Sequence, residues 1–218
     1  MVEVVIIQGV GRRIGKSEVV KYAVEALGFK SCHPFDPGRA AAQRYFEVCG
    51  APPDIAERMA SGDLKDTPSE FLPKIELSEH ECYGPRGSHG TPRLFMEEFG
   101  AFMPQRLGLD WTIGVEMRRL IREAIEEGQD EDDIRIIADS VVWEREYLEK
   151  FPHKVVEVQA PTVEQVKAHK TGGVAIHASP DAVIVNDMDG LERFQEKIVE
   201  AFEALGYAPV VSREPAIA

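Results

Sequence analysis

Near the N-terminus Gly9, Gly11 and Gly15 precede a cation, Lys16, and a hydroxyl, Ser17. That order suits polyphosphate. Backbone N–H groups of a Gly-rich turn, together with the unsatisfied N–H groups that open a helix, form a concave cradle for phosphate oxygens. In such a cradle Lys16 reaches the β- and γ-phosphates of a nucleoside triphosphate, and Ser17 offers its hydroxyl to Mg²⁺. Arg12 and Ile14 complete the residues expected to touch the donor. The spacing is unusual. Five residues separate Gly9 from Gly15 and three separate Gly11 from Gly15, with Val10 where the first glycine of the common pattern stands. A Gly-rich turn with an incidental Lys-Ser pair is the competing reading. The flanking pattern favours phosphate: Val4–Ile7 is an apolar β-branched run, and the residues after Lys16 follow a helical period.

A second candidate ligand is Asp139, which ends the apolar run Ile134 to Ala138. It can bind Mg²⁺ directly or through water, or it can cap a following helix. His80, Cys82 and His89 share a Gly-rich stretch, but no second close pair of ligands supports a metal site there.

The elements that position these residues can be read in order. Lys16 to Leu27 places Val19, Val20, Ala23 and Leu27 on one helical face, and Gly28 stops it. Phe29 to Arg39 ends in an Asp-Pro turn, and helices are expected from about Ala40 to Val48 and from Asp54 to Ala60. Ser61 to Gly90 is a long polar connection, of the kind that is functional or mobile. Thr91-Pro92 opens a helix whose Phe95, Phe99, Phe102 and Met103 read as core. Trp111 to Glu127 is a further helix with Val115, Ile121 and Ile125 inward and Arg118, Arg119 and Arg122 on a solvated face. Strands are expected at Lys154–Val158 and Ala182–Val185, helices at Trp143–Lys150 and Leu191–Leu205, and irregular chain over Pro161–Ser179.

Strands alternating with helices imply a mostly parallel sheet covered on both faces, with ligands at its carboxyl edge. The fold class expected is α/β, a P-loop NTPase three-layer sandwich with an inserted helical substrate region and a lid. The expected organisation is one domain over residues 1–206, with the helical region at about 36–128, the lid at about 161–179 and a loose tail at 207–218.

Composition excludes several classes. A net charge of -13 over 218 residues and a pI near 5.0 oppose an extended nucleic-acid or anionic-membrane surface. No apolar stretch has membrane-spanning length, and there is no signal-peptide pattern. Cys32, Cys49 and Cys82 read as free thiols. A cytoplasmic location is expected, that of the host if the chain is phage-encoded. No stable nucleic-acid or membrane partner is expected, and a homodimer is compatible with the sequence.

Several segments together resemble the bacteriophage deoxynucleoside monophosphate kinase family of P-loop kinases. Asp36-Pro37 with Arg39 is similar to its Asp-Pro-x-Lys element, and Asp63-Leu64-Lys65-Asp66 to its short Lys-acidic motif. Thr91-Pro92-Arg93, Phe99-Gly100 and Arg106 resemble its Thr-Pro-Arg, Gly-Thr and Arg series. Asp110-Trp111 and the ending from His177 through Asn186-Asp187 to Leu191 follow the same order. The resemblance covers most of the chain and implies ATP- and Mg²⁺-dependent phosphorylation of a deoxynucleoside monophosphate. It departs at Val141 and over Val158–Pro161, where the family has arginines, and at Ala101, where it has Thr.

Under that resemblance Arg39, Arg93 and Arg106 grip the acceptor phosphate, because a guanidinium fork matches phosphate oxygens. Asp36 belongs to the same acceptor element, and Lys65 with Asp66 closes over it. Trp111 walls the base or is a core residue. With the usual arginines missing, Arg12 or Arg13, Arg145, and Lys167 or Lys170 in the lid are the cations expected to neutralise the transferred group. Two other functions remain open: another small-molecule P-loop kinase, for a nucleoside or phosphorylated metabolite, or a nucleotide-binding module with little catalysis.

Overall fold

Short β-branched runs buried along their whole length require a sheet covered on both sides, and that is how the strands are placed. The computed structural model describes residues 1–9, 14–141, 144–161 and 179–209. It divides into two compact units, Met1–Pro34 with Met117–Ala218, and Phe35–Glu116.

The first unit holds β1 (Glu3–Gln8), β2 (Lys30–Cys32), β3 (Arg135–Ala138), β4 (His153–Gln159) and β5 (Ala182–Val185). They form one sheet in the order β2-β3-β1-β4-β5, and every neighbouring pair is parallel. β1 is central, with Ile6 opposite Ala138 on one side and Val155 on the other. The helices α1 (Lys16–Leu27) and α7 (Leu191–Ala204) share a core with the sheet. Val19, Ala23, Leu27, Phe194, Ile198 and Phe202 pack with Val5, Ile7, Ile137, Val156 and Val158. The alternate strand residues Val4, Ile6, Ile136 and Val155 are buried too, and the two-residue strand period sends them to the opposite face. No helix among the described residues is long and apolar enough to cross a membrane.

The second unit is mainly helical: α2 (Asp36–Val48), α3 (Pro53–Ala60) and α4 (Pro92–Arg106). Ala42, Phe46, Ala56, Met59, Leu72 and Met96 form its core. α2 begins at Asp36, earlier than the expected Ala40. Asp36-Pro37 is its first turn, because proline's fixed φ suits that position and a carboxylate suits the positive helix end. The long connection before α4 carries a 3-10 turn at Ser78–Tyr83 and an antiparallel bridge from Lys74 to His89.

Three packing expectations are corrected. The helix expected from Trp111 starts at Ile113, as α5 (Ile113–Glu126), after a separate 3-10 turn at Leu109–Trp111. Its buried stripe is Ile113, Met117, Leu120 and Ala124, while Val115 and Ile125 are exposed. β-branched side chains drew the expectation to the wrong face, although Met and Ala complete the buried i, i+4, i+7 pattern. On α4, Met96 takes the buried place and Phe102 is half exposed. Finally Tyr207, expected to open a loose tail, is 3% exposed. Its ring meets Phe29 at 5.2 Å and its hydroxyl donates to Glu3 Oε1 at 2.8 Å.

Candidate functional site

At the carboxyl end of β1 the chain turns between closely packed neighbours. A Cβ on Gly9 would lie 2.4 Å from the Val158 carbonyl oxygen, so only glycine fits there. Gly15, the N-cap of α1, has φ 105, and a Cβ on it would lie 2.6 Å from the Phe194 ring. Between them Ile14 is buried, and its carbonyl accepts a hydrogen bond from Asn186 Nδ2 at 3.1 Å. Asn186, just past β5, is anchored in turn by its own N–H on the Gln159 carbonyl at 2.7 Å. The arm of the turn that enters α1 is thus held by the ends of β4 and β5 and the start of α7.

Lys16 folds back along this turn, and its Nζ donates to the Gly9 carbonyl at 3.1 Å. Burial lowers its pKa below the ordinary lysine value, and the Asp139 carboxylate partly restores it. Asp139 follows β3, next to β1 in the sheet, and its N–H donates to the Cys32 carbonyl at 3.2 Å. Ser140 beside it has φ 56, a left-handed conformation costly for a non-glycine residue. Ser17 lies exposed in the first turn of α1. A half-buried ammonium, a helix N-terminus, a hydroxyl and a carboxylate therefore collect at one sheet edge. The oxygen donors suit Mg²⁺, which binds through one or two protein ligands and substrate phosphates. Among the described residues no group of three His, Cys, Asp or Glu could hold a metal alone.

Residues 10–13, 142–143, 162–178 and 210–218 lie outside the described residues. The expectations for Gly11, Arg12, Arg13, Lys167 and Lys170 fall there, as does Trp143 at the expected start of a helix. Arg145 heads the short helix α6 (Arg145–Leu148) and pairs with Glu149 one turn on.

In the second unit Arg39, Lys65 and Arg93 come together. Lys65 has its pKa lowered by burial first, then by the charges of Arg39 and Arg93, with Asp66 opposing. The Lys65 carbonyl accepts from the Arg93 N–H at 2.9 Å, which fixes the loop to the first turn of α4. Thr91 caps that turn, its Oγ1 accepting from Leu94 N at 3.3 Å. Arg58 holds the other side of the motif through two 2.9 Å bonds to Asp63. Arg93 forks onto both carboxylate oxygens of Asp66, and Arg39 Nη1 donates to Asp36 Oδ1 at 2.6 Å. Arg106 ends α4, exposed, and no described ion pair joins it to this trio. Trp111 is 62% exposed, which removes the core reading.

Asn186 and Phe194 escaped the sequence reading as neighbours of the Gly9–Gly15 turn. An Asn closing an apolar strand run was the available signal for the first, and nothing in the sequence marks Phe194 apart from the rest of its helix.

No family profile matches the chain, and no curated protein matches it. Among solved structures, an unliganded sugar kinase from Janibacter sp. is weakly similar, at 14% identity over 95% of each chain with a TM-score of 0.37. The TT1252 protein of Thermus thermophilus is similar at 15% identity over 94% of this chain and 97% of its own, with a TM-score of 0.42. At these values neither likeness bears on activity, which is argued from the residues.

Proposed function

We propose that the chain is a P-loop phosphotransferase that moves the γ-phosphoryl group of ATP onto a nucleoside or deoxynucleoside monophosphate, giving the diphosphate. An acceptor phosphate oxygen forms the new P–O bond, and the β–γ bridging oxygen leaves with ADP. Lys16 and the first amides of α1 hold the donor; Ser17 and Asp139 are the groups that would hold Mg²⁺. That ion, when bound, neutralises charge on the β- and γ-phosphates.

The observation that carries the acceptor side is the convergence of Arg39, Lys65 and Arg93: burial first, and then the charges of the two arginines, lower the Lys65 pKa, and the Lys65 carbonyl accepts from the Arg93 N–H at 2.9 Å. With Arg39 on Asp36 and Arg93 on Asp66, the charge of Lys65 leaves the cluster net positive, which favours a phosphate, a group absent from a plain sugar or nucleoside. The acceptor is therefore phosphorylated before it arrives. Because phosphoryl transfer depends on positioning and electrostatics, these groups can supply most of what the protein contributes.

A panel of ribo- and deoxynucleoside monophosphates, free nucleosides and sugars, each with Mg·ATP, tests the reading. ADP release is expected only with monophosphates, and the product is the diphosphate. Turnover of unphosphorylated acceptors, or no acceptor-dependent ADP release, would overturn it.

A further inference from the structure

The second unit contains a groove on the side of α4 away from the cation trio. At about 3.6 residues per turn, Arg93 and Glu97 share one side of α4, while Thr91, Leu94, Phe95, Glu98 and Phe102 lie toward the other. That other side borders a cavity of about 520 Å³, closed opposite by the extended run Leu72–Leu77. Tyr45 stacks on Phe95 at 4.5 Å within its wall. Tyr45, Leu77 and Phe102 remain 40%, 54% and 50% exposed, so the apolar lining is open at the surface.

The extended run is paired on one edge only. Ile75 N donates to the Ser88 carbonyl and the Ile75 carbonyl accepts from Gly87 N, both at 2.8 Å, and the Pro73 carbonyl accepts from Gly90 N. Lys74 faces His89 across a bridge in which its own peptide groups take no part. Among the described residues no backbone–backbone hydrogen bond involves the N–H or C=O groups of Lys74 and Glu76, and the alternation of an antiparallel pairing turns those groups away from the paired edge. The lip is acidic. Glu76 and Glu98 border the cavity, Glu79 and Glu98 flank His80 Nε2 at 3.9 and 3.5 Å, and Lys74 is the one Lys or Arg among the lining residues.

We propose that this groove is a peptide-docking site: an extended segment of a partner protein pairs with the Lys74–Glu76 edge, sets alternate apolar side chains against Phe95, Phe99 and Phe102, and places basic residues by Glu76 and Glu98. An unpaired strand edge supplies backbone hydrogen bonds and the pocket beside it reads alternate side chains. The acidic lip selects a basic segment. The site is independent of the phosphotransferase reading.

The probe is a fluorescein-labelled eight-residue peptide alternating valine and threonine, with two arginines at one end, made in both polarities. Fluorescence anisotropy with the full chain should show saturable binding of at least one polarity. N-methylation of alternate backbone amides should weaken it about tenfold or more, and Phe102→Asp about tenfold or more. Glu76→Lys, a surface change that leaves the fold intact, should weaken it and reduce its salt dependence. Failure of both polarities to bind would overturn the proposal. So would equal binding of the N-methylated peptide, or binding untouched by Phe102→Asp and Glu76→Lys. If sedimentation shows a dimer that Phe102→Asp dissolves while neither peptide binds, the occupant is a second copy of this chain and the proposal is wrong.

Discussion

Lys16 is pulled two ways: burial disfavours its charge, and Asp139 favours it. Between the lowered folded pKa and the ordinary lysine value the unfolded chain binds more protons, so the Lys16 contribution makes stability rise with pH across that window. Triphosphate binding needs the charged amine and should change in the opposite sense. ATP affinity, measured without magnesium, should fall as pH rises through a window below the ordinary lysine range. Asp139→Asn should move that fall to lower pH, because the charge that raises the Lys16 pKa is gone; an unmoved profile would contradict the pairing. Lys65 behaves alike for the acceptor, its charge disfavoured by burial, Arg39 and Arg93. Lys65→Met should raise the monophosphate KM about tenfold or more with the KM for ATP little changed, and equal changes in both would remove Lys65 from the acceptor side.

Elements were legible where local chemistry decides them. Gly28 ends α1 in the left-handed conformation at φ 73, and Thr91-Pro92 caps α4, each as the residue types dictate. The face of α5 was not legible, because Met117 and Ala124 become core only when something packs on them. The arginines and Lys65 of the acceptor trio could be named from the sequence, but their mutual approach depends on α2, α4 and a loop far apart in the chain. Asn186 shows the same limit, since its role rests on a bond to Ile14 172 residues away. Asn186→Ala should cost about 1–3 kcal/mol by leaving the buried Ile14 carbonyl unsatisfied, read by urea denaturation. Thr91→Ala should cost about 1 kcal/mol through the lost cap.

Across the whole molecule, the last described turn closes the first unit. Tyr207 packs against Phe29 and Phe202, while Lys154 Nζ sits 4.4 Å from its ring centroid and donates to the Leu205 carbonyl at 2.7 Å. This turn therefore braces Glu3 and β1, the strand that leads into the Gly9–Gly15 turn. Tyr207→Ala should cost about 3–5 kcal/mol; a loss below about 1 kcal/mol in urea denaturation would contradict the packing. The acidic balance of the chain, -13 overall, sets off the local cations around Lys16 and Lys65, so the proposed anionic substrates would have to be held by placement and not by a general field. The most direct test of the account is calorimetric titration of the intact chain and of Lys16→Ala with Mg·ATP. The account predicts saturable binding to the first and at least about tenfold weaker binding to the second; a flat titration of the intact chain, or equal affinity in both, would contradict it.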